Sequence, residues 1–208
     1  MIETEFKEHL KESELFNQFN LLFEIYKLKK VRELLSSKLN TIEKLLKSGH
    51  NSNILYKFEA LKVVITGNDK SYKNLTAELI DEYNVFDLIK RLEENILYLE
   101  NLDRERKKKH IDSESYEITK GYYLQKLIDT KDNLRQLKKQ ALSYYQELKD
   151  KLITLEDQRI ILATEKERKK LTKEEYKVEL KKIEKFKQEI EEQLAFLNVK
   201  IIDYDLKL

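Results

Sequence analysis

Residues 176–208 read YKVELKKIEKFKQEIEEQLAFLNVKIIDYDLKL. Apolar side chains recur along this stretch in alternating steps of four and three, and only Lys187 interrupts the series. They are Tyr176, Leu180, Ile183, Ile190, Leu194, Leu197, Ile201, Tyr204 and Leu208. This spacing places one apolar seam along a single helix, and such a seam has to be buried against another helix.

A matching seam comes earlier in the chain. Its apolar residues lie strictly seven apart, at Leu127, Leu134, Ala141, Leu148, Leu155 and Leu162. Between the two seams the pattern is lost from Glu165 to Lys173, and Thr172 followed by Glu175 forms a capping box. The sequence therefore predicts an antiparallel hairpin with its turn near Lys169, in which Leu148 lies opposite Ile190 and Leu134 lies opposite Tyr204.

The rest of the chain also has helical periodicity. Helices are predicted at 3–47, 54–66, 72–109, 115–169 and 173–205, with breaks at 48–53 and at Gly67-Asn68-Asp69 and a kink at Asn84. The predicted fold class is all-α, an elongated set of antiparallel helical hairpins or coiled coil. We expect hairpins in residues 1–115 and one long hairpin in 116–208, joined as one continuous elongated unit.

Composition narrows the class of protein. The 208 residues contain no Pro, three Gly and no Cys, and 38% of them are charged. Lys and Arg number 41 against 39 Asp and Glu, a balance that argues against a dedicated nucleic-acid binder. The acidic start of the chain is unlike a secretory signal, and no apolar run reaches the roughly 20 residues of a membrane span. A cytoplasmic protein is expected.

Candidates for catalysis or metal binding are few. The only histidines are His9, His50 and His110, and the Glu-x-x-His motif of di-iron bundles is absent. No Gly-rich segment could hold a phosphate. We therefore predict no catalytic residue, no cofactor and no metal, although a helical enzyme subunit whose site lies on another chain stays open.

Two surfaces are candidates for binding. An aromatic cluster lies within twenty-one residues, at Phe6, Phe16, Phe19, Phe23 and Tyr26. We expect it to be the main partner-binding surface; the alternative is that the helix predicted at 72–109 covers it as ordinary core. The second surface is the basic patch of Arg104, Arg106, Lys107, Lys108 and Lys109. One interpretation is that the patch binds nucleic acid or an anionic membrane surface. The other is that it is a solvated helix end.

The chain also matches itself at an offset of sixty residues. His50 aligns with His110, Ile111 with Leu171, Glu114 with Glu174, and Tyr56 with Tyr116 and Tyr176. The matches indicate either a duplicated helical hairpin or a chance correspondence in a sequence rich in Lys, Glu and Leu.

One turn carries a family resemblance. Leu171-Thr172-Lys173-Glu174-Glu175-Tyr176, followed by Leu180, Ile183 and Phe186, resembles the Vps28-type hairpin turn of the ESCRT-I core. The turn at Ile111–Tyr116 is a looser version, with Ser in place of the second Glu. The resemblance implies a non-catalytic scaffold or adaptor in membrane remodelling or protein sorting. Its hairpins would bind partner helices, in a homo- or hetero-oligomer, with peripheral membrane contact.

Overall fold

The computed structural model describes residues 2–48 and 52–204, with side chains described for 14–47 and 52–204. Within these ranges the chain forms five α-helices and no strand, which confirms the all-α prediction. The helices are α1 (Ile2–Ser48), α2 (Ser52–Glu78), α3 (Val85–Lys107), α4 (Ser113–Glu167) and α5 (Lys173–Leu197). A short 3-10 turn spans Asp81–Tyr83, and a π turn spans Asn198–Ile202.

The helices divide into two compact units, Met1–Asn84 and Val85–Leu208. The boundary expected between residues 115 and 116 falls inside α4, which is continuous from Ser113 to Glu167. Helix α3 packs on α4, and α4 packs on α5. Because of these contacts, α3 belongs to the carboxy-terminal unit.

In the amino-terminal unit, α1 and α2 form an antiparallel hairpin. Apart from Asp69, the half-buried side chains of α2 follow one another in alternating steps of four and three, at Ile54, Phe58, Leu61, Ile65, Asn68, Tyr72 and Leu75. The amide of Asn68 donates a hydrogen bond to the carbonyl oxygen of Leu28 (3.2 Å), and Arg32 forms an ion pair with Asp69 (2.9 Å). A polar residue in an otherwise apolar seam fixes the register of the two helices.

The predicted break at Gly67-Asn68-Asp69 is therefore wrong. Helix α2 runs through these residues, and Gly67 is exposed with open space around its Cα. A glycine inside a helix costs about 1 kcal/mol relative to alanine. Here the two residues that favour a turn are instead held in the helix by their contacts with α1.

The chain breaks further on, at residues 79–84, so the predicted continuous helix 72–109 is also wrong. Asn84, where a kink was expected, lies between the 3-10 turn and α3. The backbone N–H of Ile80 donates to Oε1 of Gln18 (2.9 Å), and Gln18 is buried at 6% exposure. This bond satisfies the buried side-chain oxygen of Gln18 and the backbone N–H of Ile80, which follows the end of α2 and precedes the 3-10 turn.

The carboxy-terminal unit is organised along α4. Its buried residues are Leu127, Leu134, Leu137, Ala141, Tyr144, Leu148 and Leu162. Five of the six residues of the seam predicted from the seven-residue spacing are among them, including Leu162 at the turn end, and the sixth, Leu155, is half-buried. Leu134 and Tyr204, a pair predicted to lie opposite each other, line the same small cavity.

Candidate functional site

A groove runs along the hairpin of α1 and α2 and has a volume of about 490 Å³. Helix α1 contributes Ser37, Lys38, Thr41 and Ile42, and α2 contributes Lys57, Ala60, Leu61 and Val64. Ile42 and Leu61 are half-buried in the seam, whereas the other six are exposed. The small side chains let another helix approach closely, and the two lysines provide positive charge beside an apolar surface. Sequence reasoning missed this groove because its lining depends on which residues of α1 lie beside α2, and the sequence alone does not give that alignment.

Large apolar side chains outside the groove lining are also exposed on these two helices. Leu34 is 64% exposed, Tyr56 is 78% exposed and Val63 is 71% exposed. Between Ser52 and Glu78 α2 buries no side chain completely, and neither does α1 between residues 28 and 47. Two helices can bury only the stripes that face each other, so a second apolar stripe stays in contact with solvent here.

The two described hairpin turns have the same backbone structure at an offset of sixty residues. Lys109 and Lys169 both have a φ of 58°. The N–H of Lys109 donates to Arg106 O (3.0 Å) and that of His110 to Glu105 O (3.1 Å). The N–H groups of Lys169 and Lys170 make the corresponding bonds to Lys166 O and Glu165 O, both at 3.0 Å. Both helices therefore end in a Schellman motif with a lysine in the left-handed position.

The helices that follow these turns also begin alike. The Asp112 side chain accepts from the Ser115 N–H (2.8 Å), and the Thr172 hydroxyl accepts from the Glu175 N–H (3.2 Å). Glu175 in turn accepts from the Thr172 N–H (2.9 Å), which confirms the predicted capping box. Every position from 111 to 126 has the same exposure class as the position sixty residues later. The predicted correspondence thus extends to local structure at these two turns; the turn near residue 50 lies outside the described residues.

These caps affect the ionisation of their carboxylates. The backbone N–H of Thr172, followed by its hydroxyl, holds the pKa of Glu175 below its ordinary value. The backbone N–H of Ser115 lowers the pKa of Asp112 in the same way. Leu171 and Tyr176, the other two residues of the predicted turn motif, are half-buried, and the Lys166 ammonium lies 4.2 Å from the centre of the Tyr176 ring.

Part of the basic patch makes contacts within the turn between α3 and α4. The Arg106 guanidinium donates to the Ile111 carbonyl (3.3 Å) and to the Ser113 hydroxyl (2.9 Å), and it lies 5.7 Å from the Tyr116 ring centre. Lys108 pairs with Glu105 (2.9 Å), which also contacts His110 (2.6 Å). The hydrogen bond from Lys108, more than that of His110, lowers the pKa of Glu105.

The other basic residues of the patch, Arg104, Lys107 and Lys109, are exposed. They contribute three charges at the end of α3, where cations are favourable next to the negative end of the helix dipole. Arg106 and Lys108 of the patch therefore stabilise the turn, whereas its other residues are solvated. A role of the patch in binding stays a prediction.

The aromatic cluster is not the exposed surface that was expected. Phe19 is 1% exposed and Phe23 is 3% exposed, while Phe16 and Tyr26 are half-buried. Phe6 lies outside the described side chains. Leu15, Leu22 and Ile25 are buried at neighbouring positions of the same helix face. Because the two central rings are inside the core, the expectation of an exposed aromatic patch is corrected at Phe19 and Phe23.

A second cleft lies between α3 and α4. It has a volume of about 550 Å³ and a mixed lining that includes Arg91, Asn95, Lys126 and Asp129. Tyr98 and Tyr123 stack at its edge with their ring centres 5.1 Å apart. Since Asp129 accepts from Gln125 (2.8 Å) and the lining carries both signs of charge, the cleft has no clear electrostatic preference for a ligand.

No cluster of three or more potential metal ligands occurs among the described residues. In the same part of the chain, no helix has the length and apolar character needed to span a bilayer. His50 lies outside the described residues, as does the side chain of His9, and His110 is exposed beside Glu105. Comparison of the chain with models of known families, with curated proteins and with solved structures finds no match.

Proposed function

We propose that this chain is a non-catalytic helical scaffold or adaptor that binds helices of partner proteins. The observation that supports this function is the apolar surface of the α1–α2 hairpin, where Leu34, Tyr56 and Val63 are more than half exposed and a partly apolar groove is formed by the two helices. A third helix that occupied the groove would bury part of this surface and complete a helical bundle.

Burial of exposed apolar side chains would favour such a contact. Burying one large apolar side chain contributes about 1.5–3 kcal/mol relative to leaving it exposed. Several such residues therefore offset the cost of association, which consumes much of the gross gain. Exposed apolar surface of this kind typically marks a contact site on a protein that remains soluble.

The more specific proposal is an ESCRT-I-like adaptor in membrane remodelling or protein sorting, acting in the cytoplasm. Its support is the turn motif formed by Leu171, Thr172, Glu175 and Tyr176. The nucleic-acid or membrane-surface alternative has less support, because Arg106 and Lys108 of the basic patch are engaged within their own turn.

Affinity purification of the full chain from native cells, followed by mass spectrometry, tests the proposal. The wild type is compared with Leu34→Asp/Val64→Asp, which places charge beside the groove. The matched control is Ile118→Asp in α4, because Ile118 is 68% exposed and lies in the other unit. Circular dichroism verifies that all three chains are folded.

We expect a reproducible set of bound proteins that the control keeps and the groove variant loses. Equal recovery with both variants would show that the groove is not the docking surface. Recovery that instead disappears as ionic strength rises, or that consists of nucleic acid, would favour the alternative, because phosphate contacts weaken steeply with salt.

A further inference from the structure

The charges on α1 and α2 are distributed unevenly. Residues 28–78, which include the groove, carry ten Lys and Arg against five Asp and Glu. Residues 2–14 carry five glutamates against two lysines, and in this amino-terminal segment Ile2, Phe6 and Leu10 recur every fourth residue. An apolar series flanked by glutamates is the composition that an apolar groove beside Lys38 and Lys57 would bind.

The amino-terminal segment cannot reach the groove of its own chain. Helix α1 is continuous from Ile2 to Ser48, so residues 8 and 40 are about 48 Å apart at 1.5 Å per residue. A helix without a break cannot fold back on itself. The segment that fits the groove must therefore come from another molecule.

We infer that two copies of the chain associate antiparallel, with the amino-terminal segment of each lying along the α1–α2 groove of the other. A two-fold arrangement fills both grooves with the same contact. It also brings the acidic end of each α1 to the basic end of the other. Pairing two grooves face to face would instead bring two basic surfaces together, which is unfavourable.

The occupant of the groove is thus the amino-terminal segment of a second copy. The dimer rests on the proposed function only in that the groove binds a helix. It is tested on the purified chain alone, without cellular partners. A chain that is monomeric when pure but still captures partners through the groove would overturn the dimer and leave the proposed function in place. A chain that dimerises when pure but captures no other protein from cells would overturn the proposed function and leave the dimer in place.

The first measurement is the mass in solution, by sedimentation equilibrium over a range of concentrations. We expect a monomer–dimer equilibrium. Val64→Asp should raise the dimer dissociation constant by about tenfold or more, because it places an unpaired charge in the contact. Ile118→Asp should leave the constant unchanged. A monomer at every concentration, or a dimer that Val64→Asp does not weaken, would overturn the inference.

The second measurement is lysine crosslinking in an equal mixture of ¹⁴N- and ¹⁵N-labelled chains. Lys7 and Lys38 are about 46 Å apart within one α1, too far for a short crosslinker to join them in one molecule. Mixed-isotope links from Lys7 or Lys11 to Lys38 are expected from the antiparallel dimer. Links between Lys38 of one copy and Lys38 of the other, without links to Lys7 or Lys11, would show face-to-face pairing and refute the arrangement.

Two variants with reversed charge, one in the groove and one in the amino-terminal segment, distinguish a lost contact between chains from a loss of folding. Lys38→Glu/Lys57→Glu should weaken self-association, and Glu5→Lys/Glu8→Lys/Glu12→Lys should do the same. Mixing the two variants should restore dimers that contain one chain of each. Failure of the mixture to form such dimers, with both chains folded by circular dichroism, would contradict the proposed contact.

Discussion

Lys109 and Lys169 occupy the same position in two equivalent turns, sixty residues apart, and both have a left-handed backbone with a φ of 58°. The left-handed conformation costs a residue with a Cβ atom roughly 1–2 kcal/mol, and glycine is the usual residue at this position of a helix end. Two lysines therefore have the same local strain, one at the carboxy-terminal end of α3 and the other at that of α4.

The first prediction is that Lys169→Gly stabilises the chain. Removing the strain should raise the free energy of unfolding by about 1 kcal/mol, less the extra entropy that glycine loses on folding. Lys109→Gly should behave alike, and the two effects should add because the turns are far apart. Urea denaturation measures both.

Lys151→Gly is the control for these variants. It lies inside α4, where glycine should destabilise by about 1 kcal/mol. If Lys169→Gly lowered stability as Lys151→Gly does, the left-handed assignment at the turn would be incorrect.

The second prediction is that both turns weaken in acid. The pKa of Glu175 is below its ordinary value of 4.5, mainly because the Thr172 N–H donates to the carboxylate. A lowered pKa in the folded state means that the stabilisation is complete above the ordinary value and is lost as the pH falls through the lower one. Asp112 should contribute in the same direction.

Thermal unfolding between pH 7 and pH 3 measures this effect. Glu175→Gln keeps a residue that can cap the Thr172 N–H but cannot ionise. It should therefore reduce the dependence on pH while retaining the helix start. An unchanged dependence in this variant would exclude Glu175 as a source.

Features set by local chemistry could be predicted from the sequence, and features set by distant contacts could not. The capping box at Thr172 and Glu175 needs only residues three apart, so its signature was readable. The continuity of α2 through Gly67 depends on a hydrogen bond from Asn68 to Leu28, forty positions away. The sequence did not predict that Asn68 lies in the seam between α1 and α2, because Gly-Asn-Asp is also typical of a turn.

In the candidate site, too, local features could be predicted from the sequence and features that depend on distant contacts could not. The basic patch was visible as a run of charges, but the use of Arg106 inside the turn depends on where Ile111 and Ser113 lie. The groove was not predicted, since its lining depends on the alignment of α2 with α1, which is set by contacts between residues far apart in the chain.

The third prediction separates two neighbours in the basic patch. Arg106→Gln should lower the free energy of unfolding by about 1 kcal/mol, because it removes hydrogen bonds to Ile111 and Ser113. Lys107→Gln should have little effect, since surface substitutions away from specific contacts usually stay within about 0.5 kcal/mol. Equal effects of the two substitutions in urea denaturation would contradict the structural role of Arg106.

The fourth prediction concerns Lys187, the residue that interrupts the apolar series of α5. Its ammonium contacts Glu156 across the hairpin, and this hydrogen bond lowers the pKa of Glu156 and raises that of Lys187. Lys187→Leu should raise the melting temperature by completing the seam, while loosening the register that the ion pair specifies.

The register can be followed with cysteines at positions 148 and 190, in a chain that has no other cysteine. We expect this pair to crosslink within the monomer. When Lys187→Leu is added to the two cysteine substitutions, the yield of the crosslink should fall relative to the cysteine pair that keeps Lys187. Crosslinks found only between chains would exclude the predicted register.

The fifth prediction is that Phe19 acts as core. Its side chain is 1% exposed, and Leu22 on the next turn is completely buried. Phe19→Ala should lower the free energy of unfolding by about 3–5 kcal/mol, the usual cost of removing a buried ring. Leu34→Ala, at an exposed position of the same helix, should cost far less. Urea denaturation at a fixed low concentration, where any dimer has dissociated, compares them. If Phe19→Ala kept the wild-type stability and lost only self-association or partner binding, the ring would be a contact surface instead of core.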